Sequence, residues 1–270
     1  MTEFPDLNAR DLIEFYLDAG ADAFVGEEPV DRFAAVEAPA PPKAPDRPAL
    51  VREAAPVAAA PAARPAPQAP DEAANAARAA ARSAATLDEL RAILEKFDGC
   101  ALKATATRTV FADGNPEARI MLVGEAPGRD EDIEGLPFVG RSGKLLDQML
   151  KAIGLDRTSA YIANIVPWRP PGNRDPSPHE SAVCLPFILR QIELVDPDVL
   201  VCLGKPSMQT LLGLMEPITK ARGRWVTFNT GKRDIKAIAT FHPAFLLRSP
   251  LQKRFAWRDL LAIKKALENG

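Results

Sequence analysis

The sequence predicts a three-layer α/β/α domain built on a central, mainly parallel four-stranded sheet. Two observations predict it. Short apolar runs alternate with longer amphipathic segments from about residue 108 onward. The runs are also apolar at nearly every position, as strands buried on both faces must be.

The elements follow in order. RIMLVG (119–124) reads as a buried strand and SGKLLDQMLKAIG (142–154) as an amphipathic helix stopped by Gly154. AYIANIV (160–166) is the second strand, and 178–195 is a helix that Pro186 should kink. DVLVCLG (198–204) is the third strand and leads into a helix over 205–213. RGRWVTF (222–228) suits an edge strand, DIKAIATF (234–241) a further buried one, and 251–268 a closing helix.

Upstream, the composition changes. Residues 1–33 hold a short amphipathic helical segment with Leu12, Ile13, Tyr16 and Leu17 at helical spacing. Residues 34–70 are dominated by proline and alanine and lack the large apolar groups needed to offset ordering entropy, so they read as a disordered, semi-rigid linker. The domain proper is expected over 71–270, opening with an Ala-rich helical run for which Thr86 or Ser83 is the cap. The expectation for the 1–33 segment is either packing on its own domain or docking to a protein partner.

Charge divides along the chain. Residues 1–96 carry 10 Lys+Arg against 17 Asp+Glu, whereas 97–270 carry 24 against 19, net +5. Only the second part therefore suits a polyanion. Three cysteines cannot form a disulfide framework, no apolar run is long enough to span a membrane, and the opening residues do not form a signal peptide. A cytoplasmic protein is the expectation.

In open parallel sheets ligands sit beyond the carboxyl ends of the strands. Here those ends lead into Gly124-Glu125-Ala126-Pro127-Gly128, Asn164, Gly204 and His242-Pro243. GEAPG lacks dinucleotide-fingerprint spacing, no Walker loop occurs, and the two histidines and three cysteines form no zinc pattern. No metal site is expected. What remains is a set of carboxylates (Glu125, Glu131, Asp132), an amide (Asn164), an aromatic (Phe138) and an imidazole (His242). An amide that donates and accepts in one plane, beside a stacking ring, suits a planar heterocycle. Taken alone, Glu131 and Asp132 would read as solvated loop charges, and the cations of 248–258 as a solvated helix face.

GEAPGRDEDIEGLPFVGRSGKLLDQML (124–150), YIANIVPWRPPGNRDPSP (161–178) and ATFHPAFLLRSP (239–250) resemble the motifs of the family 4 uracil-DNA glycosylases, in order and at the family's spacing. The resemblance spans roughly 97–270 and implies hydrolysis of the N-glycosidic bond of uracil in DNA, leaving an abasic site for base-excision repair. Two alternatives stay open: a noncatalytic lesion or abasic-site binder, and a glycosylase of broader deaminated-base specificity.

The resemblance also implies roles. Phe138 stacks on uracil, Asn164 discriminates its edge, and backbone groups of Glu125 and Ala126 complete the floor. His242 faces the leaving base. Ala126 stands where family 1 enzymes carry a catalytic aspartate, so the water-orienting carboxylate is expected to be Glu131 first and Glu125 second, with Asn173 assisting. Ser142, Gly143, Lys144, Gly204 and Lys205, at helix starts, are expected on DNA phosphates. Leu246 is expected as a wedge in the duplex, and Arg248, Lys253 and Arg254 as phosphate attractors. Free uracil is the implied product, the chain is expected to act as a monomer, and a nucleoid-associated location follows.

Most family members hold a 4Fe–4S cluster on four cysteines. Here Cys100 and Cys184 occupy two of those positions, while Phe97 and Trp168 stand at the others. Two thiolates cannot supply four iron ligands, so no cluster is expected. Cys202 reads as a small buried hydrophobe. No basic insertion follows the second motif, and His179 reads as a surface residue at a helix start.

Overall fold

The computed structural model describes residues 70–269. The readings for 1–33 and for nearly all of 34–70 lie outside them. The described residues fall within one compact unit.

The Ala-rich run forms two helices, α1 (Pro70–Ser83) and α2 (Leu87–Lys96). Thr86 caps α2 by accepting from the Glu89 amide, and Glu89 reaches back to the Ala85 amide at 2.6 Å. Ser83 is no cap: its hydroxyl donates to the Ala80 carbonyl. The chain continues through β1 (Ala112–Gly114), β2 (Ile120–Gly124), α3 (Arg129–Glu134), α4 (Arg141–Ala152), β3 (Tyr161–Asn164) and α5 (Pro178–Val195). It closes with β4 (Val199–Leu203), α6 (Lys205–Leu212), α7 (Ile218–Ala221), β5 (Trp225–Asn229), β6 (Asp234–Thr240), α8 (Pro243–Arg248) and α9 (Lys253–Glu268). α5 runs as one helix through Pro186.

Among the described residues the sheet has six strands, not four, in the order β1-β3-β2-β4-β6-β5. The four expected strands form its parallel centre, and β1 and β5 add antiparallel edges. β5 alternates exposed and half-buried positions, the pattern of an edge with one wet face. β1 is three residues long and pairs Asp113 with Ile162, too short to show periodicity in the sequence.

Strand alternation builds the layers. Met121 and Val123 of β2 pack on one face with Phe187 and Ile188 of α5, in the core that also holds Leu90 and Leu94 of α2. Ile120 and Leu122 point to the other, against Leu146 and Leu150 of α4 and Leu260 and Ile263 of α9. Each such side chain contributes roughly 1.5–3 kcal/mol by leaving water. The parallel register sets Gly124 opposite Asn164, so these two chain ends emerge side by side.

Candidate active site

A cavity of about 550 Å³ opens at the carboxyl ends of the parallel strands. That volume is usual for a small-ligand site. Glu125, Ala126, Glu131, Phe138, Asn164 and His242 all line it. Asn173, Ser142, Gly204, Lys205 and Arg248 stand around the same space. Gly143, Lys144 and Leu246 do not.

Asn164 closes β3 and is 4% exposed, yet its Oδ1 has no hydrogen-bond partner among the described residues. A buried carbonyl oxygen without a donor costs about 1–3 kcal/mol, so it marks a place where a ligand donor fits. Gly124, its neighbour in register, must stay bare: a Cβ there would meet the Asn164 side chain and come within 2.6 Å of Phe138 Cζ.

Phe138 sits in the turn between α3 and α4 with φ 55°, a left-handed conformation unusual for an aromatic residue. Its ring centroid lies 5.5 Å from that of His242, with planes 31° apart. α4 approaches so closely that a Cβ on Gly143 would collide with the Phe138 carbonyl. Gly143 therefore packs the aromatic turn, and Lys144 is exposed on the helix.

His242 caps α8, its Nδ1 accepting from the Ala244 amide at 3.1 Å. Burial, with the positive Arg248 as second cause, pushes the imidazole down to about 4. The ring is therefore neutral at ordinary pH, and its proton sits on Nε2.

The two candidate carboxylates differ. Glu131, the first expectation for orienting water, is spent on the loops: Oε2 accepts from the Gly128 amide at 3.0 Å, and Oε1 from the Val139 and Gly140 amides at 3.1 and 3.0 Å. It ties the first loop to the aromatic turn. Asp132 is likewise taken by Thr107 and the Arg108 amide. Glu125 has no such partners among the described residues, and burial, with the nearby negative Asp175, raises its carboxyl to about 7. Asp175 is a lining residue that sequence reading missed; its place in the Asn-Arg-Asp run after β3 was the available signal.

That run is held at the rim by Arg174, whose guanidinium grips Glu180 at 2.9 and 2.7 Å. This pairing holds the Glu180 carboxyl down to about 2. Glu180 in turn completes the Ser177 capping box that starts α5. Asn173 is exposed beside it and accepts from Arg169 Nε at 2.7 Å. His179 is exposed.

Leu246, expected as the wedge, is 1% exposed and packs in the core beneath α4. The exposed apolar side chains of this segment are Leu247 at 38% and Leu251 at 84%. Leu246 falls one turn from Pro243, on the inner side of α8, and both are buried.

Cys100 and Cys184 are buried with sulfurs 3.9 Å apart. Around them, Trp168 is buried and donates Nε1–H to Thr109, and Phe97 packs edge-on against Phe187 at 5.1 Å. Aromatic side chains stand where two further thiolates would be needed, so these residues do not fit a four-cysteine cluster. Among the described residues no group of three or more His, Cys, Asp or Glu could hold a metal ion. Burial pushes the Cys202 thiol up within β4.

The profile of the Uracil DNA glycosylase superfamily matches residues 111–261. The type-4 uracil-DNA glycosylase of Thermotoga maritima is 44% identical over 169 residues, 61% of this chain and 86% of that protein. That of Archaeoglobus fulgidus is 41% identical over 169 residues, covering 61% and 85%. A type-5 uracil-DNA glycosylase of Thermus thermophilus matches more weakly, 32% over 120 residues, covering 39% and 54%. With this pocket at the strand ends and this extent of similarity, the chain belongs to the type-4 uracil-DNA glycosylases, hydrolases of DNA repair.

Proposed function

We propose that this glycosylase draws uracil into the cavity and cleaves its N-glycosidic bond with Glu125, not Glu131, as the carboxylate beside the sugar. The unpaired Asn164 Oδ1 carries the reading of the pocket. Uracil N3–H supplies the missing donor while Nδ2 donates to O4; cytosine presents the reverse pattern and is refused. Phe138 covers one face of the extruded base.

As the bond breaks, negative charge builds on uracil and the deoxyribose becomes oxocarbenium-like. His242 donates from Nε2 to O2 of the departing base, a neutral donor fixed in place by the Ala244 amide. Glu125 opposes the positive charge on the sugar and orients the attacking water. Its freedom from loop amides, against the three that occupy Glu131, supports this division of labour. Asn173, at the rim, helps hold the water. Excision by Glu125→Gln, scored as alkali-labile sites in a uracil-containing oligonucleotide, tests the assignment.

On the DNA side, Lys205 and Arg248 at the mouth meet phosphates, and the exposed Leu247 replaces Leu246 as the wedge. We further propose that the chain works as a monomer near chromosomal DNA, releases free uracil and holds no iron–sulfur cluster. The aromatic filling around Cys100 and Cys184 supports the last. Composition alone supports a protein partner for residues 1–33.

A further inference from the structure

The backbone of Phe138 is held from outside the pocket. The left-handed conformation at this residue needs neighbours that fix it. Arg157, in the turn between α4 and β3, supplies them: Nη1 donates to the Pro137 carbonyl at 3.1 Å and Nη2 to the Phe138 carbonyl. These carbonyls belong to the two peptide planes that flank the Phe138 Cα, so gripping both sets φ and ψ of that residue. The second plane is held at its other end too, where Glu131 accepts from the Val139 amide. Arg157 is itself anchored by Asp113 of β1 (Nη1–Oδ2 2.5 Å) and Asp147 of α4 (Nε–Oδ1 2.8 Å). Only a planar, forked cation can meet two carbonyls and two carboxylates together; a lysine ammonium cannot.

We propose that Arg157 is a positioning residue for base recognition: by fixing the peptide planes around Phe138 it sets the tilt of the stacking ring and so the hold on uracil. The inference rests on the reading that Phe138 stacks on the base. It assigns the short edge strand β1 a functional purpose, since β1 carries one of the two carboxylates that aim Arg157.

A double-mutant cycle on the full chain tests it, with Phe138→Ala, Arg157→Gln and the pair. Four quantities are read: single-turnover excision from a single-stranded uracil oligonucleotide, the steady-state KM for that DNA, inhibition by free uracil, and the thermal midpoint. Arg157→Gln is expected to slow excision and weaken uracil inhibition by about tenfold each, with KM for DNA unchanged, a size usual for coupled neighbours. In the Phe138→Ala background the same change should cost less than about threefold. Arg157→Lys should recover the thermal midpoint further than it recovers uracil inhibition, and it carries the cycle if Arg157→Gln does not fold. Equal losses in both backgrounds, or uracil inhibition unchanged in a folded Arg157 variant, would overturn the proposal. If Phe138→Ala alone leaves excision and uracil inhibition intact, the stacking reading falls and this inference with it.

Discussion

Nδ1 of His242 accepts from the amide of Ala244 at 3.1 Å, which commits the ring proton to Nε2 and aims a neutral donor into the cavity. Because the imidazole is pushed down to about 4, excision should show no limb from His242 titration at ordinary pH. Residual excision by Glu125→Gln should be flat between about pH 5 and 9, with no imidazolium requirement. The same group bears on folding. An unfolded histidine takes its proton near 6.5 and the folded one only near 4, so its contribution to stability is complete above 6.5 and is lost as pH falls toward 4. Urea unfolding of wild type and His242→Gln across that window measures the difference.

Glu125 should give kcat/KM an ascending limb near pH 7, because the carboxyl must be ionised to act and its folded value is raised to about 7. Glu125→Gln should remove the limb and cost about 10²–10⁴-fold in rate. Asp175 is a cause of the raised value, so Asp175→Asn should move the limb to lower pH. The linkage to stability runs opposite to that of His242. The folded carboxyl holds its proton longer than the unfolded one, and stability therefore falls as pH rises from 4.5 to 7.

Glu131→Gln should act through stability before chemistry. Its carboxylate accepts from three backbone amides, and hydrogen bonds to a charged group contribute about 1.5–3 kcal/mol each. A lowered thermal midpoint is expected, with the pH limb of excision still near 7. Disappearance of that limb would return the water-orienting role to Glu131.

The two adjacent leucines of α8 should separate cleanly. Leu246→Ala empties a core position and should destabilise by about 2–5 kcal/mol in chemical denaturation. Leu247→Ala should leave stability within about 0.5 kcal/mol and slow excision from duplex more than from single strands.

Iron analysis and a visible spectrum of anaerobically purified protein check the cofactor proposal. Iron well below one atom per chain, and three titratable thiols after unfolding (Cys100, Cys184 and Cys202), are expected. Four irons per chain would contradict it.

Much of this was legible in the sequence because parallel strands buried on both faces leave unbroken apolar runs. The runs 119–124, 160–166, 198–204 and 234–241 each contain an observed strand, and their ends carry Gly124, Asn164, Gly204 and the approach to His242. Residue type showed which groups could meet a base, but not which were already occupied. Glu131 and Glu125 are equally acidic on paper; only the loop geometry delivers three amides to one and none to the other. Leu246 and Leu247 differ by one position, and helix rotation decides which is wet. β1 and the Arg157 grip were illegible because a three-residue strand has no periodicity and the contact joins residues 19 apart.

The most direct measurement is excision by Asn164→Asp from matched oligonucleotides carrying a single uracil or a single cytosine. Turning the amide into a carboxyl group changes which hydrogen bonds position 164 can offer the base edge. The preference for uracil over cytosine should shrink by about tenfold or more, with cytosine release becoming detectable. Uracil excision at the wild-type rate, with cytosine still refused as before, would mean that Asn164 does not read the base, and the pocket would lose its specificity element.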